Sequence, residues 1–327
     1  MKTIFVVNPC AGQGKNIKNV VDLIDVKALS SGFDYDIYIT CGVGDATRFV
    51  HEYCTNHGCA RFIACGGDGT FSEVLNGIVG FDDAEVGIIP LGTGNDFCRN
   101  FGGEFDFHDV IKQISGITVK CDAIRYTTHL RDGIHTGYCA NMFNIGFDCN
   151  VADMTADMKK RPFISGSLAY LISIFATLVK KKGTNLEIQT DGETLHHGPL
   201  LLTSIANGCY CGGGIKSNPL ADITDGYINI NIVNNVSRFK FIKLLPHYIK
   251  GDFLKLKDIS KVVLSLKCKK VIITPKDGLM RICNDGEISD AGYTEFEIKH
   301  KAFNFVLPAA SNSCIHIIDK KRVQKIL

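Results

Sequence analysis

Short apolar runs separated by longer mixed stretches dominate the first 126 positions. Thr3–Val7, Tyr35–Thr40, Arg61–Cys65 and Glu85–Ile89 read as strands, while Lys15–Leu29, Asp45–Cys54 and Thr70–Ile78 read as helices. Strands alternating with helices predict a mainly parallel α/β sheet covered on both faces. Ligands of such sheets bind at the carboxyl ends of the strands. The loops at 8–14, 40–44, 66–70 and 90–96 lie at that edge and hold most of this region's glycines.

After position 126 the rhythm changes. Tyr138–Ile145, Asn185–Thr190, Leu200–Asn207, Tyr227–Val233, Lys261–Leu266, Lys270–Thr274 and Phe296–His300 read as strands, many with alternating polarity. Asp-Gly pairs at 191–192, 225–226, 277–278 and 285–286 punctuate them as turns. Helical stretches interrupt only around Gly166–Lys181 and Ser237–Tyr248. The expectation is therefore an α/β domain over 1–126 and an antiparallel β-sandwich domain over 127–307. A tail over 308–327 follows, and the sequence leaves open whether it packs back on the first domain.

Composition narrows the function classes. The 327 residues carry 36 Lys and Arg against 34 Asp and Glu, so no global field recruits nucleic acid, and none is expected as a partner. With 45% hydrophobic residues the chain can bury real cores. The longest apolar stretch, Leu168–Val179, is far shorter than the roughly 20 residues a bilayer span needs. The opening reads as a strand rather than a signal peptide. The 14 cysteines include no C-x-x-C pair and read as reduced thiols, many inside apolar runs, in a cytoplasmic protein. His51, Cys54, His57 and Cys59 lack the spacing that a structural zinc site needs.

The loops carry the chemistry. Gly66-Gly67-Asp68-Gly69-Thr70 lies between an apolar strand and a helix, where glycines and free helix N–H groups cradle phosphate. An acid at 68 would repel phosphate unless a cation or water lies between, which hints at Mg²⁺. Gly12-Gln13-Gly14-Lys15-Asn16 is not a P-loop, because Lys15 is not followed by Ser or Thr. Neither Gly92-Thr93-Gly94 nor Gly42-Val43-Gly44 continues to the third glycine of the dinucleotide fingerprint, which argues against a dehydrogenase.

Taken together, several motifs resemble the diacylglycerol kinase catalytic-domain family, its soluble bacterial lipid kinases in particular. They are Asn8-Pro9 with Gly12 and Gly14, Gly66–Thr70, Pro90–Phe97 and Asn144-Ile145-Gly146-Phe147-Asp148. They continue through Gly166–Tyr170, Asn207-Gly208, Gly212-Gly213-Gly214, Pro219, Ala221, Asp225-Gly226 and Asp285-Gly286-Glu287. The match runs in order along nearly the whole chain. It implies a NAD kinase/diacylglycerol kinase-like α/β domain and a β-sandwich.

It also implies a site. ATP would be surrounded by Asn8, Pro9, Gly12, Thr40, Gly66, Gly67, Asp68, Gly69, Thr70 and Thr93, with Glu73 and Asn95 beside them. A structural Mg²⁺ would be held by Asp222, Asp225 and the carbonyl of Tyr227. Asp285 would be the general base, supported by Glu287, and Asp68 and Asp96 would link nucleotide to metal through water. The implied reaction is phosphorylation of diacylglycerol to phosphatidic acid. Asp96 favours that substrate, since sphingosine-type kinases usually carry Ala there. A sphingoid or other lipid, or a soluble metabolite as in NAD kinases, are the alternatives.

The lipid partner implies peripheral contact with a membrane, and a homodimer is compatible with the resemblance. Residues 250–276 hold eight Lys against two Asp, and the tail adds Lys320, Lys321, Arg322 and Lys325. Such clusters attract an anionic leaflet, although a solvated basic face is an equal reading.

Overall fold

The computed structural model describes residues 1–14, 21–22, 24–25, 27, 32–103, 105–146 and 183–309. Most of the helix expected at Lys15–Leu29, of which the described residues 21–22, 24–25 and 27 are helical, and all of that at Gly166–Lys181, the residues Phe147 and Asp148, the motif at 166–170 and the tail cations lie outside the described residues. The chain forms two compact units. One is Met1–Ala123 with a returning segment that begins at His300, and the other is Ile124–Lys299.

In the first unit, β1 (Thr3–Val7), β2 (Tyr35–Ile39), β3 (Arg61–Gly66) and β4 (Glu85–Pro90) form a parallel sheet in the order β2-β1-β3-β4. β1, β3 and β4 are buried along almost their full length, as their unbroken apolar runs require. Helix α1 (Asp45–His57) follows β2 and helix α2 (Asp68–Ile78) follows β3. A short helix, α3 (Val110–Ile114), is capped by Asp109, whose carboxylate accepts from the Ile111 and Lys112 amides. Phe5, Val7, Ile63, Cys65, Ile89, Val110 and Ile114 share one core.

Of two long strands, one was not expected from the sequence and the other was expected over only part of its length. β5 spans Ile117–Leu130, and β15 spans Thr294–Leu307 rather than stopping near His300. The chain passes from one unit to the other inside each of them. Within the first unit, Asn304 and Phe305 of β15 pair in parallel with Glu85 and Val86.

The second unit is antiparallel. β6 is Gly133–Cys139, β7 Met142–Gly146, β8 Thr184–Thr190, β9 Glu193–Ala206, β10 Ile228–Asn234, β11 Val263–Cys268, β12 Lys270–Pro275, β13 Met280–Asn284 and β14 Glu287–Ala291. The run expected as one strand over 138–145 is broken at Ala140-Asn141, where buried Asn207 donates from Nδ2 to the Ala140 carbonyl at 2.7 Å. Between β12 and β15 the sequence suggested only turns, yet β13 and β14 form a hairpin there. Asp285 (φ 45) and Gly286 (φ 96) turn it, the left-handed pair a two-residue hairpin needs. Phe143, Ile145, Ile188, Ile205, Ile230, Ile273, Ile282 and Phe296 fill the core. A satellite core forms where helix α4 (Arg238–Lys250) packs on Leu201, Leu202, Val233 and Val263.

Candidate active site

Three loops of the first unit meet through close contacts that only small residues permit. The Leu91 amide donates to the Gly66 carbonyl at 2.8 Å. A Cβ on Gly92 would lie 2.6 Å from the Gly67 Cα, and one on Gly66 2.2 Å from Thr70 Oγ1. Gly12 adopts φ 60, where a Cβ would press on the Leu91 carbonyl at 3.2 Å. The loops after β1, β3 and β4 thus touch backbone to backbone.

Side chains fasten this arrangement. Asn8 donates from Nδ2 to Thr70 Oγ1 at 2.9 Å, and its Oδ1 accepts from the Cys10 amide. Glu73 accepts from the Gly44 and Ala46 amides at 3.0 and 3.1 Å, holding the 42–46 loop against α2. Buried Thr40 donates its amide to Val7. Phe71 of α2 stacks on Phe97 of the loop after β4, with ring centroids 4.8 Å apart. Pro9, Gly69 and Thr93 belong to the same loops.

Asp68 is central. Its Oδ2 accepts from the Asn95 amide and its Oδ1 from the Asp96 amide, both at 2.8 Å. It ties the β3–α2 loop to the Gly-Thr-Gly loop rather than standing alone before a phosphate. Asn95 (φ 52) completes the turn by donating from Nδ2 to the Gly92 carbonyl. Burial, with a further push from the Asp96 charge, raises the Asp68 carboxyl to about 6. Asp96 is itself buried and faces the Arg99 guanidinium at 3.5 Å. Gly92, Gly94, Phe71 and Arg99 were not singled out as site residues. The G-x-G spacing and the three-residue offset from Asp96 to Arg99 carry their signal.

The cap of α2, Gly67, offers no side-chain acceptor to the helix. The first-turn N–H groups of an 11-residue helix, framed by close-packed glycines, therefore present donors suited to an anion.

In the second unit, Asp285 Oδ1 accepts from the Met142 amide at 2.8 Å and Oδ2 from the Asn141 amide at 3.3 Å. Asn141 is held in turn, donating from Nδ2 to the Tyr210 carbonyl and accepting at its own carbonyl from the Asn207 and Gly208 amides. The Cys139 thiol also bonds to Asp285, and burial together with that carboxylate pushes the thiol well above its ordinary range. Glu287 opens β14, two residues past Asp285, opposite Asn284. Asp285, Glu287, Asn141 and Asn207 thus form one neighbourhood.

Asp222, Asp225 and Tyr227 share a loop before β10. Asp222 Oδ1 accepts from the Thr224 amide and hydroxyl, and Asp225 Oδ1 from the Tyr227 amide. Asp225 Oδ2 pairs with the Lys267 ammonium. Two carboxylates and a backbone carbonyl are hard oxygen donors that suit Mg²⁺. A metal there would have to displace Lys267 from Asp225.

A glycine-framed helix N-terminus at the carboxyl edge of a parallel sheet, in a chain with an antiparallel β unit, defines a two-unit α/β and β protein built to hold an anionic ligand. The comparisons specify it further. Residues 2–126 match the diacylglycerol kinase catalytic domain, and residues 141–307 match the YegS C-terminal NAD kinase beta sandwich-like domain. A diacylglycerol kinase of Bacillus subtilis is 25% identical over 93% of this chain and 95% of its own length. A Cronobacter sakazakii protein named "Probable lipid kinase YegS-like" is 32% identical over 67% of this chain and 71% of its own. The crystal structure of a diacylglycerol kinase from Bacillus anthracis superposes with a TM-score of 0.66 at 21% identity, covering 94% of this chain and 96% of that one. This chain belongs to the diacylglycerol kinase family of lipid kinases.

Proposed function

We propose that this chain transfers the γ-phosphate of ATP to the hydroxyl of diacylglycerol, giving phosphatidic acid. The observation that carries the reading is the backbone-packed cradle at the start of α2, tied to the Gly-Thr-Gly loop by Asp68. In a loose phosphoryl-transfer transition state, charge spreads over the transferred oxygens, so catalysis is mostly positioning and neutralisation. The amides of Gly67 to Thr70 supply oriented donors, and Asp68 holds the loop after β4 beside them by taking the Asn95 and Asp96 amides. Mg²⁺ bound with ATP would supply further neutralising charge. Asp222, Asp225 and the Tyr227 carbonyl are the residues that would hold a structural ion.

An alcohol does not ionise near neutral pH, so a carboxylate takes its proton as attack proceeds. Asp285 fills that role, its carboxylate oriented by the Asn141 and Met142 amides. Glu287 supports it, and Asp96 holds the nucleotide loop through Arg99. The lipid identifies the working place as a membrane surface reached from the cytoplasm.

The test is phosphate transfer from labelled ATP to a lipid panel, with diacylglycerol, sphingosine and NAD as acceptors. Diacylglycerol is expected to be labelled. Asp285→Asn is expected to lose turnover by at least a hundredfold while still binding ATP, with Asp191→Asn, a turn of the same shape, as the control. Near-normal activity of Asp285→Asn would remove the base assignment, and preferential labelling of another acceptor would remove the substrate.

A further inference from the structure

The basic stretch at 250–276 is less of a cationic surface than its sequence suggests. Lys261 pairs with Asp258, Lys267 with Asp225, Lys270 with Glu295 and Lys276 with Glu187. Half of its eight lysines therefore have their charge matched nearby.

Helix α4, just before it, is different. Its inner face, Phe241 with Leu244, Leu245 and Tyr248, packs into the satellite core. Its outer face carries Phe239 at 82% exposure and Ile242 at 45%, with Lys243 and Pro246 in the same stripe at i, i+3, i+4 and i+7. Among the described residues, neither Phe239 nor Ile242 belongs to the cores of this unit named above. The helix holds Arg238, Lys240, Lys243 and Lys250 and no acidic residue. Exposed Lys255 and Lys257 follow directly. Among the described residues, Lys240, Lys243, Lys250, Lys255 and Lys257 have no carboxylate within ion-pair distance. An amphipathic helix whose solvent face combines aromatic and aliphatic groups with unmatched cations has the composition of an interfacial membrane helix.

We propose that α4 is the membrane-docking element of this lipid kinase, with Phe239 and Ile242 entering the headgroup boundary of an anionic bilayer and Lys240, Lys243 and Lys250 meeting lipid phosphates. The inference rests on the lipid-kinase reading only for its biological sense; vesicle binding is measured without ATP or acceptor. Charge selects the occupant. A two-fold contact with a second copy would set one cationic helix against another and is disfavoured by repulsion. An anionic leaflet attracts both the helix and the lysines after it.

The experiment is co-sedimentation of the full chain with vesicles of phosphatidylcholine alone and of phosphatidylcholine containing phosphatidylglycerol. Binding is expected on the anionic vesicles and should weaken as salt is raised. At roughly fivefold per cation, Lys240→Ala with Lys243→Ala is expected to weaken it about 25-fold. Phe239→Ser is expected to weaken it about tenfold through lost apolar burial. Both variants change exposed side chains, so unfolding temperature and turnover of a short-chain, water-dispersed diacylglycerol should match the parent. Parental binding by the variants, or no binding of the parent to anionic vesicles, overturns the proposal. So does a dimer that dissociates on Phe239→Ser, which would make a second copy the occupant. Loss of all kinase activity in the parent alongside intact vesicle binding would instead strike the proposed function and leave the docking helix standing.

Discussion

Asp68→Asn separates what Asp68 does for folding from what it does for the site. Burial and the Asp96 charge raise the Asp68 carboxyl from 3.8 to about 6. A shift of about two units corresponds to roughly 3 kcal/mol. Below about pH 3 both folded and unfolded chains carry the proton, and no deficit exists. As pH rises towards 6 the unfolded chain ionises first while the folded chain keeps its proton, so stability falls. Above that window both are ionised and the deficit stays at roughly 3 kcal/mol. Asparagine copies the neutral acid in shape and in its single carbonyl acceptor, but it does not ionise. Asp68→Asn should therefore match the parent near pH 3, differ little at pH 4, and exceed its stability by up to roughly 3 kcal/mol at pH 8. Urea unfolding of both proteins at pH 3 and pH 8, without nucleotide or metal, measures this, and the difference between them cancels the titrating groups that do not interact with Asp68. The same variant should lower kcat/KM for ATP by about ten- to a hundredfold, because one charge-assisted bond to the Asn95 or Asp96 amide is lost. Equal stability differences at both pH values, or a variant less stable at pH 8, would refute the account of Asp68 as a buried ionised clamp.

Gly92→Ala places a methyl 2.6 Å from the Gly67 Cα, where only backbone can yield. It should cost about 1–3 kcal/mol and weaken nucleotide binding severalfold, read by thermal unfolding and ATP titration. Thiol oxidation should act through few positions. Cys10 and Cys41 are exposed beside the loops proposed to hold nucleotide, whereas burial pushes the Cys65 and Cys98 thiols far up and keeps them inert. Any loss of ATP affinity after mild peroxide should disappear in Cys10→Ser with Cys41→Ser; persistence of the loss in that variant would count against this.

The glycine-rich packing at the start of α2 was legible because its signal is local. Glycine positions, strand ends and a helix start are all written within a few residues of one another. The two long strands were not. β5 begins as Ile-Thr-Val-Lys-Cys-Asp-Ala-Ile and mixes buried polar and exposed apolar positions, since its neighbours change along its length. The same applies to β15, whose end joins a parallel sheet and so loses the alternation of its start. Asp68 stood out in its motif, but its hydrogen bonds did not. A motif fixes that an acid is present, and only the fold shows that its oxygens receive the Asn95 and Asp96 amides. Likewise, counting lysines over 250–276 could not show that acids distant in sequence, such as Asp225 and Glu187, neutralise them.

The four Asp-Gly turns sharpen this point. Asp191 and Asp285 have nearly the same backbone, φ 46 and 45, each followed by a glycine at φ 95 and 96. Each carboxylate accepts two backbone N–H groups from a neighbouring segment: Lys269 and Lys270 for Asp191, Asn141 and Met142 for Asp285. Turn shape and amide acceptance are therefore a structural device of this unit and do not mark a base. What sets Asp285 apart is its surroundings. Its donors sit at the break between β6 and β7, where buried Asn141 and Asn207 are locked together, and a wholly buried thiol, Cys139, joins the same carboxylate. Asp191 instead faces an exposed turn between two strands. Asparagine at either position keeps one carbonyl acceptor and replaces the other oxygen by a donor, so the two variants should lose comparable folding stability. Turnover lost at position 285 beyond that lost at 191 is then the part that belongs to chemistry.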